Sequence, residues 1–321
     1  MDSNKSKALK VLSLFDGISC GRVALERVGI PIEKYDAYEI DEYAIKVAQK
    51  NSKIIQHHGD VTTANFKDYA GYDLLIGGSP CQSLANCNMY LKDGEYGVNG
   101  TGTSRLFWEY VRALKTIKPK YFFFENVASM KNADRDIITE QLGVEPVKIN
   151  SLLFSAQVRN RLYWTNIPFD VPTERVVDTE LKDVLEDKDG TPVADRFYIC
   201  EGTVHYVFER NDKWVTNPDK FKPNPQFSRP LVASGWKIHR ADTEAYIETE
   251  YAPVGRSHFR RLTPIEYERL QGLPDNYTLV DGYSEAQSNK QRWKCVGNGW
   301  QVDTIAHIFK GLTEQQINNK E

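Results

Sequence analysis

The chain has 321 residues, a net charge of −3 and 40% hydrophobic residues, values ordinary for a soluble enzyme of one large and one smaller domain. The charge argues against non-specific binding to nucleic acids, although it allows a local basic cleft. No stretch approaches the ~18 apolar residues of a membrane span, and the polar amino terminus argues against a signal peptide. Five scattered cysteines without a CxxC pair indicate a reducing, intracellular setting, with no disulfide framework and no zinc site.

The first segments have the pattern of a cofactor site. Lys10–Phe15 is predicted to be a strand, Asp16–Gly21 a turn and Arg22–Val28 a helix. A strand, a glycine-bearing loop and a helix hold nucleotide-like cofactors through backbone N–H groups, although the full GxGxxG fingerprint is missing. A second strand, Tyr35–Glu39, ends in an acid, and such an acid commonly binds ribose hydroxyls. The alternative for Glu39 is a solvated surface carboxylate.

The next segments continue the alternation of helices and strands. A helix is predicted from Asp41 to about Lys50, and Ile54–His57 is predicted to be a short third strand. Asp60 follows this strand and could accept a hydrogen bond from an adenine amino group, with Val61 packed on the ring. Asp60 could equally cap the next helical segment.

Cys81 follows a buried strand at a tight turn. The apolar run Asp73–Ile76 ends at Gly77 and Gly78, and Pro80 stiffens the loop that presents the thiol. The carboxyl ends of strands in an open α/β sheet are where ligands and chemistry collect. The alternative is a buried, inert cysteine.

An aromatic strand carries the second candidate catalytic group. The segment Asn88–Thr103 lacks periodicity and is predicted to be a loop over the site, and Leu106–Ile117 is predicted to be a helix. Tyr121–Phe124 then forms a strand that ends at Glu125. Burial there would favour the protonated form of Glu125 and make it a proton donor. The alternative is a structural residue that caps the following helix.

Two arginines accompany a predicted hairpin. The strands are Val147–Asn150 and Arg161–Thr165, and Arg159 and Arg161 are predicted to alternate on one face. A pair of arginines suits a phosphate or a base carbonyl. The alternative is an ordinary surface salt bridge.

The texture of the sequence changes from Phe169 to about Gly255, where periodicity is poor and Pro and Asp are frequent. We interpret this part as a smaller β-rich domain or an elaborated insertion. After it, Thr263 is predicted to begin a helix through a capping box. Cys295–Gly299 is predicted to be a turn, and Gln301–Phe309 the final helix.

Eight motifs in this order resemble those of the DNA (cytosine-5)-methyltransferases over most of the chain. They are FDGISCG at Phe15–Gly21, Glu39, GD at Gly59–Asp60, GGSPCQ at Gly77–Gln82, FENV at Phe124–Val127, QVRNR at Gln157–Arg161, RRLTPIEYERLQGLP at Arg260–Pro274 and VGNG at Val296–Gly299. Within the family the motifs are most similar to the animal de novo type, on a bare catalytic module of microbial or phage type.

The resemblance implies an α/β fold: a doubly wound, Rossmann-like S-adenosylmethionine-dependent methyltransferase sheet with a second, smaller target-recognition domain. The catalytic, cofactor-binding domain is expected at 1–168 and 290–321, and the target-recognition domain at 169–289. The last helix would return to the first domain. The cofactor would be S-adenosyl-L-methionine and its product S-adenosyl-L-homocysteine, with no metal. The partner would be double-stranded DNA, bound by a monomer or homodimer in the cytoplasm of a bacterial or phage-infected cell.

The resemblance also assigns roles to residues. Cys81 would attack carbon 6 of a flipped-out cytosine, Glu125 would hold or protonate N3, and Arg159 and Arg161 would steady the base and backbone. The loop Asn88–Thr103 would close behind the base. The cofactor site would comprise Phe15, Asp16, Gly17, Ile18, Glu39, Ile40, Asp60, Val61, Pro80, Leu106, Asn298 and Trp300.

Target choice is expected from Asp170–Arg261, where Trp236, Lys237, His239 and Arg240 are the densest cluster of groove-reading side chains. Three alternatives remain open. A transfer-RNA cytosine methyltransferase would share the motifs. A non-catalytic cofactor-binding protein is disfavoured by the intact Cys81, Glu125 and Arg159. An NAD-dependent enzyme is disfavoured by the missing glycine fingerprint.

Overall fold

Short apolar runs of the sequence become the strands of one sheet. The computed structural model describes residues 7–84, 92, 94–208 and 222–318. The chain divides into two compact units. Unit 1 is Met1–Asn150, Asn160–Val171 and Thr304–Glu321, and unit 2 is Ser151–Arg159 and Pro172–Asp303. Over the described ranges, no helix has the length and apolarity to cross a membrane.

Seven of the described strands form the sheet of unit 1, in the order β3-β2-β1-β4-β5-β7-β6. Neighbours from β3 to β5 are parallel, whereas β7 is antiparallel to both β5 and β6. The predicted doubly wound α/β sheet is thereby confirmed. The strands are β1 Leu9–Leu14, β2 Ile32–Tyr38, β3 Ile55–His57, β4 Leu74–Gly77, β5 Tyr121–Val127, β6 Val147–Asn150 and β7 Asn160–Thr165.

The helices follow local signals in the sequence. Asp41 caps α2 by accepting hydrogen bonds from the N–H groups of Tyr43 and Ala44 at 3.0 and 3.2 Å. Thr263 and Glu266 form the predicted capping box of α6. The described helices are α1 Cys20–Arg27, α2 Glu42–Asn51, α3 Phe107–Ile117, α4 Asn132–Leu142, α5 Glu201–Phe208, α6 Pro264–Leu270, α7 Glu285–Asn298 and α8 Val302–Asn318.

The aromatic strand β5 is buried on both faces of the sheet, which explains why its sequence does not alternate with polar residues. Phe124 packs against Tyr110 of α3 at a ring distance of 4.8 Å. Phe123, its neighbour in sequence, contacts Phe309 of α8 at 5.2 Å on the opposite face. Consecutive side chains of a strand point to opposite faces, so α3 covers one face of this strand and α8 covers the other.

Unit 2 is not β-rich in its described part, so the interpretation of Phe169 to about Gly255 as a β-rich domain is wrong, while that of an elaborated insertion stays a prediction. Its paired strands there are β8 Tyr246–Glu248 and β9 Phe259–Arg261, and much of the remainder is irregular chain. The poor periodicity and frequent proline give few runs that could form a ladder. Buried polar groups hold the chain instead: Arg260 pairs with Asp187 at 2.6 Å and with Glu266 at 2.8 Å.

The predicted turn at Cys295–Gly299 is also wrong, because α7 continues as a helix to Asn298. The glycine that suggested a turn serves close packing. A Cβ at Gly297 would lie 2.3 Å from the carbonyl carbon of Val232 and 2.5 Å from the nitrogen of Ala233. Glycine here lets a helix approach another stretch of backbone.

Candidate active site

The register of the parallel strands brings four motifs of unit 1 to one edge of the sheet. Leu14 of β1 pairs with Tyr38 of β2 and with Gly77 of β4. Gly77 in turn pairs with Phe124 of β5. The segments that leave these strands therefore lie side by side, in the order of Glu39, the loop after β1, the Cys81 loop and Glu125. Neighbouring strands are ~4.8 Å apart, so the edge is compact.

The loop after β1 has an unusual backbone. Phe15, Gly17 and Ser19 have φ values of 58°, 57° and 60°, in the left-handed region that bulky residues avoid. The Asp16 carboxylate shapes this loop, since it accepts hydrogen bonds from Tyr35 Oη at 2.7 Å and from Ser19 Oγ. Burial raises the pKa of Asp16. The roles of Phe15 to Ile18 at the cofactor stay predictions.

Glu39 is a fixed residue, so its alternative reading as a solvated surface carboxylate is wrong. Its Oε2 accepts a hydrogen bond from Gly17 N–H, and its Oε1 accepts from Ile40 N–H and Asp41 N–H, each at 2.8 Å. Burial raises the pKa of Glu39, and the three backbone hydrogen bonds oppose that rise. Beside it, the apolar side chain of Ile40 is 72% exposed. The carboxylate oxygens keep further lone pairs that can accept hydrogen bonds from hydroxyl groups.

Asp60 performs the local role that the sequence left open. It caps the short 3₁₀ helix Val61–Thr63, and its Oδ1 accepts a hydrogen bond from Thr62 N–H at 2.9 Å. The Thr62 hydrogen bonds lower the pKa of Asp60, which is exposed. Val61 is buried. The contacts of Asp60 and Val61 with adenine stay predictions.

The Cys81 loop is tied to a short 3₁₀ helix, Thr103–Leu106, that precedes α3. Ser104 Oγ donates to the carbonyl oxygen of Pro80 at 2.6 Å and accepts from Ser83 N–H at 3.1 Å. Ser104 is completely buried, whereas Cys81 is half-buried. The thiol is therefore presented by a braced loop. Sequence reasoning missed Ser104, which lies in the segment Thr103–Tyr110.

Asn126 is a second residue that sequence reasoning missed. It lies in β5, next to Glu125, and its Nδ2 donates to the carbonyl oxygen and the Oγ of Ser79 at 3.2 and 3.3 Å. It joins the end of one strand to the loop that leaves its neighbour. The Cys81 loop is thus held from two sides, by Ser104 and by Asn126.

Glu125 lies inside a strand, because β5 extends to Val127 instead of ending at Phe124. The helix-cap alternative is wrong, since the residue that precedes α4 is Lys131. Glu125 Oε1 forms an ion pair with Arg161 Nε at 2.8 Å, and both side chains are largely buried. The sequence considered burial alone and did not pair these two residues. Both orient each other at the edge of the sheet.

Arg159 does not alternate with Arg161 on one face of the hairpin. Arg161 lies in β7, whereas Arg159 precedes it and belongs to unit 2. Within unit 2, Arg159 is buried and donates hydrogen bonds to the carbonyl oxygens of Leu231, Gly297 and Gly299 at 3.2, 3.2 and 2.8 Å. Because Arg159 is buried, the alternative of an ordinary surface salt bridge is wrong for this residue. Buried arginines of this kind hold backbone in place.

The remaining predicted site residues lie in both units. Leu106 ends the 3₁₀ helix of unit 1, while Asn298 ends α7 and Trp300 follows it in unit 2. Gln271 Nε2 fixes this end of α7 by donating to Val296 O and Gly299 O, both at 2.9 Å. The places of Pro80, Leu106, Asn298 and Trp300 in a cofactor site stay predictions.

Part of the predicted closing loop lies outside the described residues, namely 88–91 and 93. Its described end approaches the Cys81 loop, since Gly97 N–H donates to Ser83 O at 2.9 Å. A side chain at Gly102 would collide with Ser83 Oγ. Among the residues that the structure describes, no group of three or more His, Cys, Asp or Glu could hold a metal ion.

Comparison with known proteins identifies the family of the chain. Residues 9–314 match the family model of the C-5 cytosine-specific DNA methylases. The chain is 27% identical to the type II methyltransferase M1.ScrFI of Lactococcus lactis subsp. cremoris, over 100% of this chain and 82% of that protein. It is 25% identical to the type II methyltransferase M.HpaII of Haemophilus parainfluenzae, over 98% and 92%.

Solved structures give the same fold. The Entamoeba histolytica methyltransferase EhMeth superposes with a TM-score of 0.73 at 19% identity, over 98% of this chain and 99% of that one. At this identity the likeness shows the fold alone, and the family model supplies the rest. The chain therefore belongs to the family of C-5 cytosine-specific DNA methylases and transfers methyl groups to carbon 5 of cytosine in DNA.

Proposed function

We propose that Cys81 is the nucleophile of this methyl transfer and that Glu125 acts on the same base. The observation that carries the proposal is that adjacent, paired strands, β4 and β5, present these two residues at one edge of the sheet. The half-buried thiol lies in a loop that Ser104 and Asn126 hold in place. A nucleophile in a braced loop beside an oriented carboxyl group can act on one bound ring.

The chemistry follows from the poor reactivity of carbon 5. The Cys81 thiolate forms a bond with carbon 6, and the electrons of the 5,6 double bond move toward carbon 5 and N3. Arg161 orients the Glu125 carboxyl group through the 2.8 Å ion pair, and Glu125 holds a proton at N3. After carbon 5 has gained its methyl group, a base removes the carbon 5 proton. The double bond reforms and Cys81 leaves as the thiolate.

The residues of unit 1 fit S-adenosyl-L-methionine as cofactor. The fixed carboxylate of Glu39 can accept hydrogen bonds from the two ribose hydroxyls, and the exposed Ile40 offers an apolar surface for adenine. The left-handed loop Phe15–Ser19 turns its backbone toward the same edge. When bound, the cofactor supplies the methyl group and becomes S-adenosyl-L-homocysteine.

The substrate is proposed to be double-stranded DNA with the target cytosine turned out of the stack. A thiolate cannot reach carbon 6 of a stacked base, so the base must leave the helix before attack. The predicted loop Asn88–Thr103 would then exclude water behind the flipped base.

We place the enzyme in the cytoplasm of a bacterial or phage-infected cell, as a monomer or homodimer. The division into a catalytic domain (1–168 and 290–321) and a target-recognition domain (169–289) is part of the same proposal.

Target choice is proposed to depend on Ser234–Arg240, which we name the recognition segment. Its Trp236 is 37% exposed and lies between two ammonium groups, with Lys237 Nζ 5.1 Å and Lys290 Nζ 4.3 Å from the ring centre. An aromatic ring flanked by exposed cations suits a DNA groove with its phosphates. Lys290, on α7, was missed by sequence reasoning because it lies about 50 residues further along the chain.

The nucleophile assignment is tested with Cys81→Ser. A hydroxyl is hardly ionised at neutral pH, whereas a few per cent of a thiol is, so methyl transfer should be abolished while cofactor binding persists. Calorimetry with S-adenosylmethionine and a tritium-transfer assay on duplex DNA and on RNA measure both. More than about a tenth of wild-type activity would refute the assignment, and a preference for RNA would favour a transfer-RNA methyltransferase.

Target choice is tested by deep bisulfite sequencing of a random-sequence DNA library. The triple variant Lys237→Ala, His239→Ala, Arg240→Ala should change the profile of bases around methylated cytosines. Arg159→Ala should lower methylation without a new profile, because Arg159 contacts backbone carbonyl groups. An unchanged profile for the triple variant together with a shifted one for Arg159→Ala would refute this division of roles.

A further inference from the structure

One guanidinium group holds residues 235–237 of the recognition segment. Arg261 Nη1 donates to the carbonyl oxygens of Gly235, Trp236 and Lys237 at 3.2, 3.0 and 3.3 Å. Three acceptors for one N–H₂ group leave at least one bond shared, so the arrangement is easily redistributed. The position of residues 235–237 thus depends on where Arg261 directs its hydrogen bonds, whereas Tyr246 Oη and Glu244 N–H hold the other end of the segment at His239 O and Arg240 O.

A buried carboxyl group lies beneath the same segment. Glu244 is 3% exposed, and its Oε1 accepts a hydrogen bond from Tyr267 Oη at 2.7 Å. Its Oε2 is buried and has no hydrogen-bond partner. Gly235 covers this pair closely, since a Cβ there would lie 2.6 Å from Tyr267 Oη. The backbone N–H of Glu244 also donates to Arg240 O at 3.1 Å, at the end of the segment.

The two features share Arg261. Its positive charge favours the charged form of the Glu244 carboxyl group and so opposes the rise in pKa that burial causes. A buried carboxylate with one donor lacks compensation for lost water, and a nearby guanidinium is the strongest donor it can recruit. We propose that Glu244 is a positioning residue for the recognition segment, because its carboxylate competes with the carbonyl oxygens of Gly235, Trp236 and Lys237 for Arg261.

The competition would depend on the charge of Glu244. Burial raises the pKa of Glu244 to about 7, so its proton is lost near neutrality. When Glu244 is neutral, Arg261 donates its hydrogen bonds to the recognition segment. When Glu244 is charged, Arg261 turns toward its carboxylate, and the segment loses these hydrogen bonds. The other groups that face Glu244 are Tyr267 of α6 and Tyr246 of β8, and burial raises the pKa of both, so they stay neutral. The inference rests on the proposed role of the segment in target choice.

Amide hydrogen exchange of residues 235–240 in the intact chain tests the positioning directly. Between about pH 5 and about pH 8.5, after correction for intrinsic exchange, wild-type protection should fall by up to about tenfold per pH unit until the pH reaches about 7, and stay constant above that pH. Glu244→Gln should show no such fall. Glu250→Gln, an exposed glutamate nearby, should behave as wild type. His239 lies within the segment and is unchanged in all of these proteins, so it contributes equally to every profile.

Tyr267→Phe gives a second, independent test that does not depend on the folding of Glu244→Gln. The hydrogen bond from Tyr267 favours the charged form of Glu244, so its loss should move the midpoint of this fall in protection to higher pH. Equal profiles for wild type and Glu244→Gln, or an unmoved midpoint in Tyr267→Phe, would overturn the inference. If protection follows Glu244 while the bisulfite profile is the same at both ends of the pH range, the positioning role is supported and the segment's role in target choice is refuted.

Discussion

Glu39 and Glu125 stand at the same edge of one sheet and are fixed in different ways. Three backbone N–H groups orient Glu39, whereas one guanidinium, that of Arg161, orients Glu125. Backbone donors cannot move with a ligand, so Glu39 suits a static task such as binding hydroxyls. A side-chain partner can adjust when a proton moves, and this suits the part proposed for Glu125 at N3 of the base.

Glu39→Ala should weaken S-adenosylmethionine binding and leave the chemical step possible. Hydrogen bonds to a charged acceptor are worth roughly 1.5–3 kcal/mol, so Kd should rise by roughly 10- to 150-fold. Calorimetry measures the constant, with Glu42→Ala, an exposed glutamate at the start of α2, as matched control. A Kd equal to that of the control would remove Glu39 from the cofactor site.

Among the structural elements, unit 2 depends on buried ion pairs more than on a ladder of strands. Arg260 and Glu266 are both fully buried, and the Arg260 guanidinium makes two bonds to Asp187 and two to Glu266. Glu266 is also the capping residue of α6. This cluster gives Arg260, the first arginine of the motif RRLTPIEYERLQGLP, a structural role.

Arg260→Ala should destabilise the protein by about 3–5 kcal/mol, because it leaves the buried carboxylate of Glu266 and the largely buried one of Asp187 without their partner. Arg196→Ala is the matched control: its ion pair with Glu285 is exposed, and its loss should cost less than about 1 kcal/mol. Chemical denaturation of both variants measures the difference. Similar losses for the two would show that burial of the cluster does not stabilise unit 2.

The pH dependence of stability should report the burial of Glu244. Its pKa is raised from 4.5 to about 7, so the folded state keeps a proton that the unfolded chain releases. Stability contributed at this site is therefore lost as pH rises from about 4.5 to about 7, by about 3 kcal/mol in all. Melting curves of wild type should fall relative to those of Glu244→Gln over this range. Parallel curves would mean that Glu244 titrates as an exposed acid.

Sequence reasoning found the elements that local pattern dictates and missed those that distant contacts decide. The strands of the sheet, the capping box of α6 and the placement of Cys81 after β4 follow from apolar runs and turn residues. The Glu125–Arg161 pair and the Ser104 brace depend on strand order and on a contact across about 20 residues, which periodicity does not encode. The helical end of α7 was missed because Gly297 serves close packing and not a turn.

At the scale of the whole molecule, a chain with a net charge of −3 must bind a polyanion through a local patch. On unit 2, Lys237 and Lys290 flank Trp236 and form a small positively charged patch of this kind. Affinity that comes from a few phosphate contacts should depend steeply on salt, while the rest of the surface repels DNA weakly.

Lys290→Gln should reduce the slope of log K against log salt for duplex DNA by about 0.9, the value for one lost phosphate contact. Binding should weaken to a similar degree on different DNA sequences, because phosphate contacts carry no sequence information. Fluorescence anisotropy at several salt concentrations gives the slope, with Lys53→Gln, an exposed lysine of unit 1, as control. Equal slopes for the two variants would remove Lys290 from the DNA interface.

The covalent bond between Cys81 and the base is the central claim, and trapping it tests the claim most directly. Duplex DNA copied with 5-fluorocytosine in place of cytosine has no carbon 5 proton to remove, so Cys81 could not leave after methyl transfer. With S-adenosylmethionine, intact mass spectrometry should show a wild-type adduct with DNA, and peptide mapping should place it on Cys81. Cys81→Ser should give no adduct and no methylation of ordinary DNA. An adduct on another residue, or methylation by Cys81→Ser, would contradict the account.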